Sequence, residues 1–378
     1  MEFTLSESQK MLQTAVRDFA TSKLVPLADK LEQEQEFPMA NFKGLVDIGL
    51  TGMGIPPEYG GSGGDRISTV IAMEEIAKAC ASTCDILDTH LHLCTEPIHI
   101  YGNEYQRQKF IPPLIRGEKI GGFAITEAEA GSDIASIKST ATKVGDSYIL
   151  NGTKVFMTNG DVCNTAVVFA NIPELGKRGM TAFIVEDGMP GFTKGKKYNK
   201  LGMRAATNAD FIFENCKIPM ENRLGEEGQG LKICLSTLDL GRIGIAAQAL
   251  GITQAILEKS VEYSKTRKRF GVTIGQNQGI SWMLADMATQ LEAARLLTYK
   301  AAFLADQGQP FSAYAAMAKL MASELCMKAA VDGIQIFGGY GYVMESPMQR
   351  YFRDAKLTTI YEGTSEIQRI VISKNLLR

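Results

Sequence analysis

The chain is poor in the residues that several common kinds of chemistry require. Its 378 residues include only three histidines, one tryptophan and seven cysteines. The cysteines, at 80, 84, 94, 163, 216, 234 and 326, are dispersed, odd in number and free of any Cys-x-x-Cys pair. That spacing argues against a disulfide framework or a zinc knuckle and for a reducing compartment. With His90, His92 and His99 as the only histidines, a Ser-His-Asp machine has little to draw on, and no G-x-S-x-G elbow occurs. Walker sequences are absent, and neither Gly60 to Gly64 nor Gly338-Gly339-Tyr340-Gly341 makes a G-x-G-x-x-G fingerprint after a strand. No uninterrupted apolar run approaches the ~20 residues of a membrane span. The start, Met1-Glu2-Phe3-Thr4 with Glu7 close behind, resembles neither a signal peptide nor an Arg-rich transit peptide. The expected location is the bacterial cytoplasm, or the mitochondrial matrix after processing. An excess of one charge is missing too: Lys+Arg is 40 and Asp+Glu 42, a net charge of -2. Nothing in bulk draws such a chain to nucleic acid or into a membrane.

What is present reads as three successive textures. Residues 1–120 are helical in pattern. Ser6-Glu7-Ser8-Gln9 has capping-box spacing, and Met11, Leu12, Ala15, Val16 and Phe19 then recur on one helical face. A loop at Gly60 to Gly64 precedes a helix from Ile67 toward Ala81, and an apolar stretch runs from Leu87 to Ile100. Residues 121–226 alternate short β-rich runs with turns, among them Phe123-Ala124-Ile125, Ser147 to Leu150, Lys154 to Met157, Ala166 to Phe169, Ala182 to Val185 and Phe211-Ile212-Phe213. Asn151-Gly152 is the strongest hairpin signal among them, and Gly145-Asp146 a weaker one. Residues 227–378 return to helix over about 229–265, 275–306 and 312–337, with a last helix after Gly363. The expected fold is mostly α with a central antiparallel β domain, between an N-terminal helical domain and a C-terminal four-helix bundle.

Two local features carry chemistry. On a regular helix His90 and His92 point to different sides and cannot share one ion, whereas Asp88 and His92, or His92 and Glu96, are spaced as neighbours. These groups read as helix-surface hydrogen bonding, as polar lining of a ligand cavity or, least strongly, as a metal site. The second feature is Tyr361-Glu362-Gly363-Thr364-Ser365-Glu366-Ile367-Gln368-Arg369. A carboxylate between an aromatic residue and a glycine, ahead of a helix start, can be desolvated and its pKa raised. Taken alone it also reads as a helix N-terminus with favourable acids.

Several segments together point to one family. Ile55-Pro56-Pro57-Glu58-Tyr59-Gly60-Gly61, Phe123 to Glu127 followed by Gly131-Ser132-Asp133, and Asn151 to Lys154 with Thr158-Asn159-Gly160 resemble acyl-CoA dehydrogenase flavoproteins. Asp239 to Gly244, Arg267 with Phe270-Gly271, Gln335 to Gly339 and Tyr361 to Arg369 complete the series in the family's order. The resemblance implies FAD as cofactor and Glu362 as the base that removes the acyl α-proton while a hydride passes to flavin N5. Some branched- and long-chain members carry that glutamate on a bundle helix, at the position that is Gly241 here. For the flavin, the resemblance implies Phe123, Ile125, Thr126 and Thr158, with Phe156 where many relatives have tryptophan. For the FAD diphosphate and adenosine it implies Arg267, Phe270, Gln278, Gln335, Gly339, Thr364 and Glu366, several of them acting across a subunit boundary in relatives. For the acyl-CoA it implies Ser132, Asp239 and Arg242 along the tail, and Tyr361 and Gly363 beside the base.

The acyl end is the least familiar part. The helix that lines it in relatives here reads Cys84 to Leu93, with Asp85 and Thr89 expected to face inward and Asp88 and His92 on an adjacent face. An unpaired buried carboxylate is costly, so a partner or a function is expected for each aspartate. Ala288 to Leu297 resembles the short- and branched-chain subgroup. The expectation is therefore a short, branched or alicyclic acyl-CoA, with a cyclohexane- or cyclohexene-carboxyl thioester as the sharper version and enoyl-CoA reduction as the reverse alternative. A non-catalytic scaffold is the competing class, against which a retained Glu362 argues. The resemblance also implies a homotetramer, a dimer of dimers, that passes electrons to an electron-transferring flavoprotein.

Overall fold

The computed structural model describes residues 4–377. The first helices are α1 (Glu7–Phe19), α2 (Ala28–Glu34) and α3 (Met39–Asp47), then α4 (Arg66–Ala79) and α5 (Ala81–Asp88). A seven-residue π-helical stretch, Thr89–Thr95, leads into α6 (Glu96–Tyr101) and α7 (Glu104–Ile115). Ser6 caps α1, with the Gln9 side chain closing the box. Val16 of the expected apolar face is buried, but Met11 is 72% exposed.

The strands are β1 (Gly121–Ala124), β2 (Thr140–Val144), β3 (Ser147–Thr158), β4 (Thr165–Asn171), β5 (Met180–Glu186), β6 (Phe192–Lys194), β7 (Asn208–Pro219) and β8 (Arg223–Leu224). They form one sheet in the order β6-β7-β3-β2-β4-β5-β8, with β1 added parallel to β4. The other extended pairings are antiparallel.

Asn151-Gly152 is not a hairpin. β3 runs straight through it, and the pair forms an irregularity opposite β7 instead. The Asn151 side chain accepts a hydrogen bond from the Asn215 N–H across the strands, and Gly152 lies so close to Ser139 that a Cβ would fall 2.2 Å from its hydroxyl. The weaker signal is the real turn: Gly145, with φ 60°, and Asp146 join β2 to β3.

The C-terminal part comprises α8 (Gly230–Thr266), a small hairpin of β9 (Lys268–Arg269) and β10 (Val272–Thr273), α9 (Gln278–Asp306), α10 (Ser312–Phe337), α11 (Pro347–Thr358) and α12 (Ser365–Leu376). α10 packs on α8, α9, α11 and α12. α11 adds a helix to the four expected, begun by Ser346 as N-cap and Pro347 at its first position. α8 is long and apolar enough to cross a bilayer by length and composition, but 89% of its most apolar window is buried inside the protein, against α4 and α10. It is the shared spine of the two helical regions.

Candidate active site

Glu362 sits in the short connection between α11 and α12. Its φ is 50° and that of Gly363 is 93°, so the chain reverses here through left-handed backbone. A non-glycine residue holds that conformation only where its surroundings enforce it. Three buried groups do so. Lys319 Nζ donates to the Gly363 carbonyl at 2.8 Å, Gln368 Nε2 donates to the same oxygen at 2.8 Å, and the Tyr361 hydroxyl bonds the Gln248 side chain. Lys319 is completely buried on α10, and burial lowers its pKa to about 8. Thr364 then caps α12 by accepting from the Ile367 N–H, with Glu366 exposed in the first turn.

The Glu362 carboxyl reaches inward to α8, where its Oε2 is shielded from solvent and has no hydrogen-bond partner. Burial, and then the neighbouring Asp88, push its pKa well above the ordinary carboxylate range. Space for it comes from a missing side chain: a Cβ at Gly241 would lie 2.1 Å from Oε2. Glu362 and Gly241 are thus sterically complementary. A side chain at 241 and the glutamate at 362 compete for one volume.

Asp85, Asp88 and His92 are buried near this carboxyl, and Thr89 is buried next to Asp88 in the chain. The regular helix ends at Asp88 and continues as π-helix, so a wheel that separates an 85/89 face from an 88/92 face does not describe the segment. Asp88 is the charged neighbour that most strongly opposes ionisation of Glu362, and its Oδ1 meets His92 Nδ1 at 2.7 Å. Burial raises the Asp88 pKa to about 8 and that of Asp85 to about 6, the latter opposed by the charge of Lys200. His90 turns elsewhere. Its Nε2 donates to the Leu114 carbonyl and its Nδ1 accepts from the Gly121 N–H, tying this helix to α7 and β1.

One end of the sheet adjoins this cluster. Phe123 and Ile125 are buried, and Thr126 accepts from the Val155 N–H at 2.9 Å. Lys154, fully buried, donates to the Ile125 carbonyl and pairs with Glu127, which explains why these motif residues occur together. Asn208 donates to Thr158 Oγ1 and to the Phe156 carbonyl, and Asn159 donates to the Ile86 carbonyl of α5. Phe156 has φ 65°, is 57% exposed and packs on Tyr198. This leaves an apolar and hydroxyl-lined edge with one exposed aromatic ring.

A second group gathers elsewhere. A groove of about 460 Å³ is lined by Arg267, Arg269, Ile274, Gly338, Gly339 and Tyr340 among others, and by none of the sheet residues. Arg267 lies over the Tyr340 ring, and a Cβ at either glycine would meet no neighbour. Phe270, at the tip of the β9–β10 hairpin, is fully exposed, and Gln278 and Gln335 are exposed nearby in the chain. Two guanidinium groups over open glycine backbone fit an anionic diphosphate. Of the expected CoA contacts, Arg242 is buried and pairs with Asp239, and its Nε is unpartnered, whereas Ser132 is exposed. Lys319, Gln248 and Lys200 carried no local sequence signal: each is a single polar residue in an otherwise ordinary helix or loop.

The comparisons place this arrangement of helical, β and helical layers among the flavin-dependent oxidoreductases. The chain matches the acyl-CoA dehydrogenase N-terminal domain over residues 6–118, the middle domain over 122–216 and the C-terminal domain over 228–377. It belongs to the acyl-CoA dehydrogenase family and is an FAD-dependent acyl-CoA dehydrogenase. It is 45% identical to the short-chain specific acyl-CoA dehydrogenase of Clostridium acetobutylicum, with 100% of both chains covered. The butyryl-CoA dehydrogenase structure from Megasphaera elsdenii matches at TM-score 0.98 and 45% identity, again over 100% of both chains. A chain from a structure of the electron transferring flavoprotein of Acidaminococcus fermentans, described in terms of flavin-based electron bifurcation, matches equally at TM-score 0.98, 45% identity and 100% of both chains.

Proposed function

We propose that the protein oxidises a short-chain acyl-CoA thioester to the 2-enoyl-CoA, with Glu362 as the α-proton base and an electron-transferring flavoprotein as acceptor. The observation that carries this reading is the solvent-shielded, unpartnered Oε2 of Glu362 against bare Gly241. An α-C–H of a thioester is a very weak acid, so its removal needs a base of raised pKa and donors placed where negative charge develops on the carbonyl oxygen. Burial supplies the first condition. For the second, the Glu362 N–H would serve as a donor to the thioester carbonyl, a role supported by the left-handed turn at Glu362 and Gly363 that Lys319 and Gln368 hold through the Gly363 carbonyl.

Phe123, Ile125, Thr126, Phe156 and Thr158 would hold the flavin ring, and Arg267, Phe270, Gln278, Gln335, Gly339, Thr364 and Glu366 the diphosphate and adenosine, several of them across a subunit boundary within a homotetramer. When bound, the flavin supplies the hydride acceptor at N5. Asp239 and Arg242 hold the CoA side of the thioester, and Ser132 meets the tail nearer the surface. The relatives named short-chain specific and butyryl-CoA dehydrogenase support a short acyl group, and the electron-transferring flavoprotein structure supports the acceptor. All seven cysteines are free and buried, in keeping with a reducing compartment such as the bacterial cytoplasm.

A branched or alicyclic acyl group is the second reading, motivated by the unusual buried polar groups Asp85, Asp88 and Thr89 on the helix expected to line the acyl end. Steady-state kinetics with butyryl-, 2-methylbutyryl- and cyclohexanecarboxyl-CoA separate the two. The first reading expects the highest kcat/KM for butyryl-CoA, and a preference for C8 or longer chains sinks both.

A further inference from the structure

The proposed base does not account for the groups behind it. Asp88 is wholly buried at the end of α5, with Oδ1 on His92 Nδ1 at 2.7 Å, Oδ2 unpartnered, and the Glu362 carboxyl as its neighbour across the next turn of α8. Two glycines of α8 one turn apart make room for the pair. A Cβ at Gly241 would lie 2.1 Å from Glu362 Oε2, and one at Gly244 would lie 1.9 Å from Asp88 Oδ1 and 2.9 Å from His92 Nδ1. His92 in turn lines a cavity of about 10 Å³, walled otherwise by Arg66, Thr69, Val70, Leu240 and Ile243. That volume is about the room of one water. Arg66, one of those walls, pairs with Glu96 at 3.0 Å and has a side chain 26% exposed to solvent. Proton-carrying groups are thus lined up from the base toward the surface: Glu362, Asp88, His92, and a water-sized cavity bordered by Arg66.

We propose that Asp88 and His92 carry the α-proton from Glu362 to solvent through the water-sized cavity beneath Arg66. This rests on Glu362 being the base. In the proposed reaction, bound substrate and flavin would cover the carboxyl from the acyl side, so a proton taken while the product is still bound would have to leave from behind. The transfer balances as a relay. Glu362, protonated by the α-carbon, gives that proton to Asp88 Oδ2 as the Oδ1 proton of Asp88 moves to His92 Nδ1. His92 then loses its Nε2 proton to water in the cavity. Rotation of the Asp88 carboxyl and exchange between the His92 tautomers through solvent restore the starting state. No electron moves along this route. The resting state suits it, because burial keeps Asp88 protonated and His92 neutral near pH 7. The charged groups facing the pair are Asp85, Glu362, Glu96 and Arg66.

The test uses the holoenzyme, anaerobically and without acceptor, with butyryl-CoA deuterated at the α-carbon. Flavin bleaching reports abstraction, and loss of deuterium from recovered substrate reports escape of the proton to water. In the wild type, deuterium washes out during repeated abstraction and return. In Asp88→Asn and His92→Gln, bleaching persists but washout per bleaching event falls by about tenfold or more, the loss expected when a positioned proton carrier is removed. A variant that merely disturbs folding or misplaces Glu362 slows both readouts and leaves their ratio unchanged. An unchanged ratio in both variants overturns the route. A wild type that neither bleaches nor exchanges overturns the dehydrogenation reading beneath it.

Discussion

Replacing Gly241 with alanine isolates the placement of the base from its chemistry. The added Cβ would lie 2.1 Å from Glu362 Oε2, 2.8 Å from its Cδ and 3.0 Å from Leu93 Cδ2. Carbon and carboxylate oxygen need about 3.3 Å, so the carboxyl has to retreat by about 1 Å. The group that yields is the end of a flexible side chain, and alanine is intrinsically better than glycine in a helix by about 1 kcal/mol, so stability changes little. Catalysis is far less tolerant. A displacement of about 1 Å at a reacting group costs roughly 100-fold, or about 2.7 kcal/mol of barrier. Gly241→Ala is therefore expected to bind FAD, melt within a few degrees of the wild type and be reduced by butyryl-CoA about 100-fold more slowly in anaerobic stopped flow. A correctly folded, FAD-loaded variant reduced within threefold of the wild-type rate would refute the packing argument.

Further outcomes follow from the same geometry. Because burial and Asp88 both favour the protonated form of Glu362, and the base acts only when deprotonated, the flavin-reduction rate should rise with pH through a pKa above the usual carboxylate range. Asp88→Asn should move that midpoint downward, and a midpoint unmoved in the pH profile contradicts the pairing. Lys319→Met should leave the melting temperature within a few degrees but slow flavin reduction about tenfold, because the Gly363 carbonyl then relies on Gln368 alone to hold the turn. Burial lowers the His90 pKa to about 4 from 6.5, so only the unfolded chain gains a proton between those values and the stability that His90 confers is lost as pH falls through that window. The stability gap between wild type and His90→Gln, measured by denaturant melts, should narrow by about 3 kcal/mol from pH 7 to pH 4. A constant gap would show that His90 titrates normally.

The layering of the chain was legible because period and turn chemistry change with each layer. Glu362 and Gly241 were legible as a pair since only one of two positions carries the carboxylate, and the structure shows the steric reason for the exclusion. Asn151-Gly152 misled because hairpin propensity is local, whereas Gly152 answers a tertiary demand: Ser139 occupies the space that a Cβ would need. α11 leaves little sequence signal because proline and polar residues dominate its start, and the π-helical stretch between α5 and α6 shifts every side chain after Asp88 from where a regular helix would put it. The supports of the turn, Lys319 and Gln248, come from helices 44 and 113 residues away from the residues they bond. No window of sequence brings such partners together.

The most direct test of the base assignment is Glu362→Gln, which keeps the shape of the side chain and removes its capacity to take a proton. The holoenzyme carrying this change should remain yellow and bind butyryl-CoA, yet show no bleaching on the timescale of the wild-type reaction. Bleaching at a near-normal rate in that variant would contradict the account at its centre.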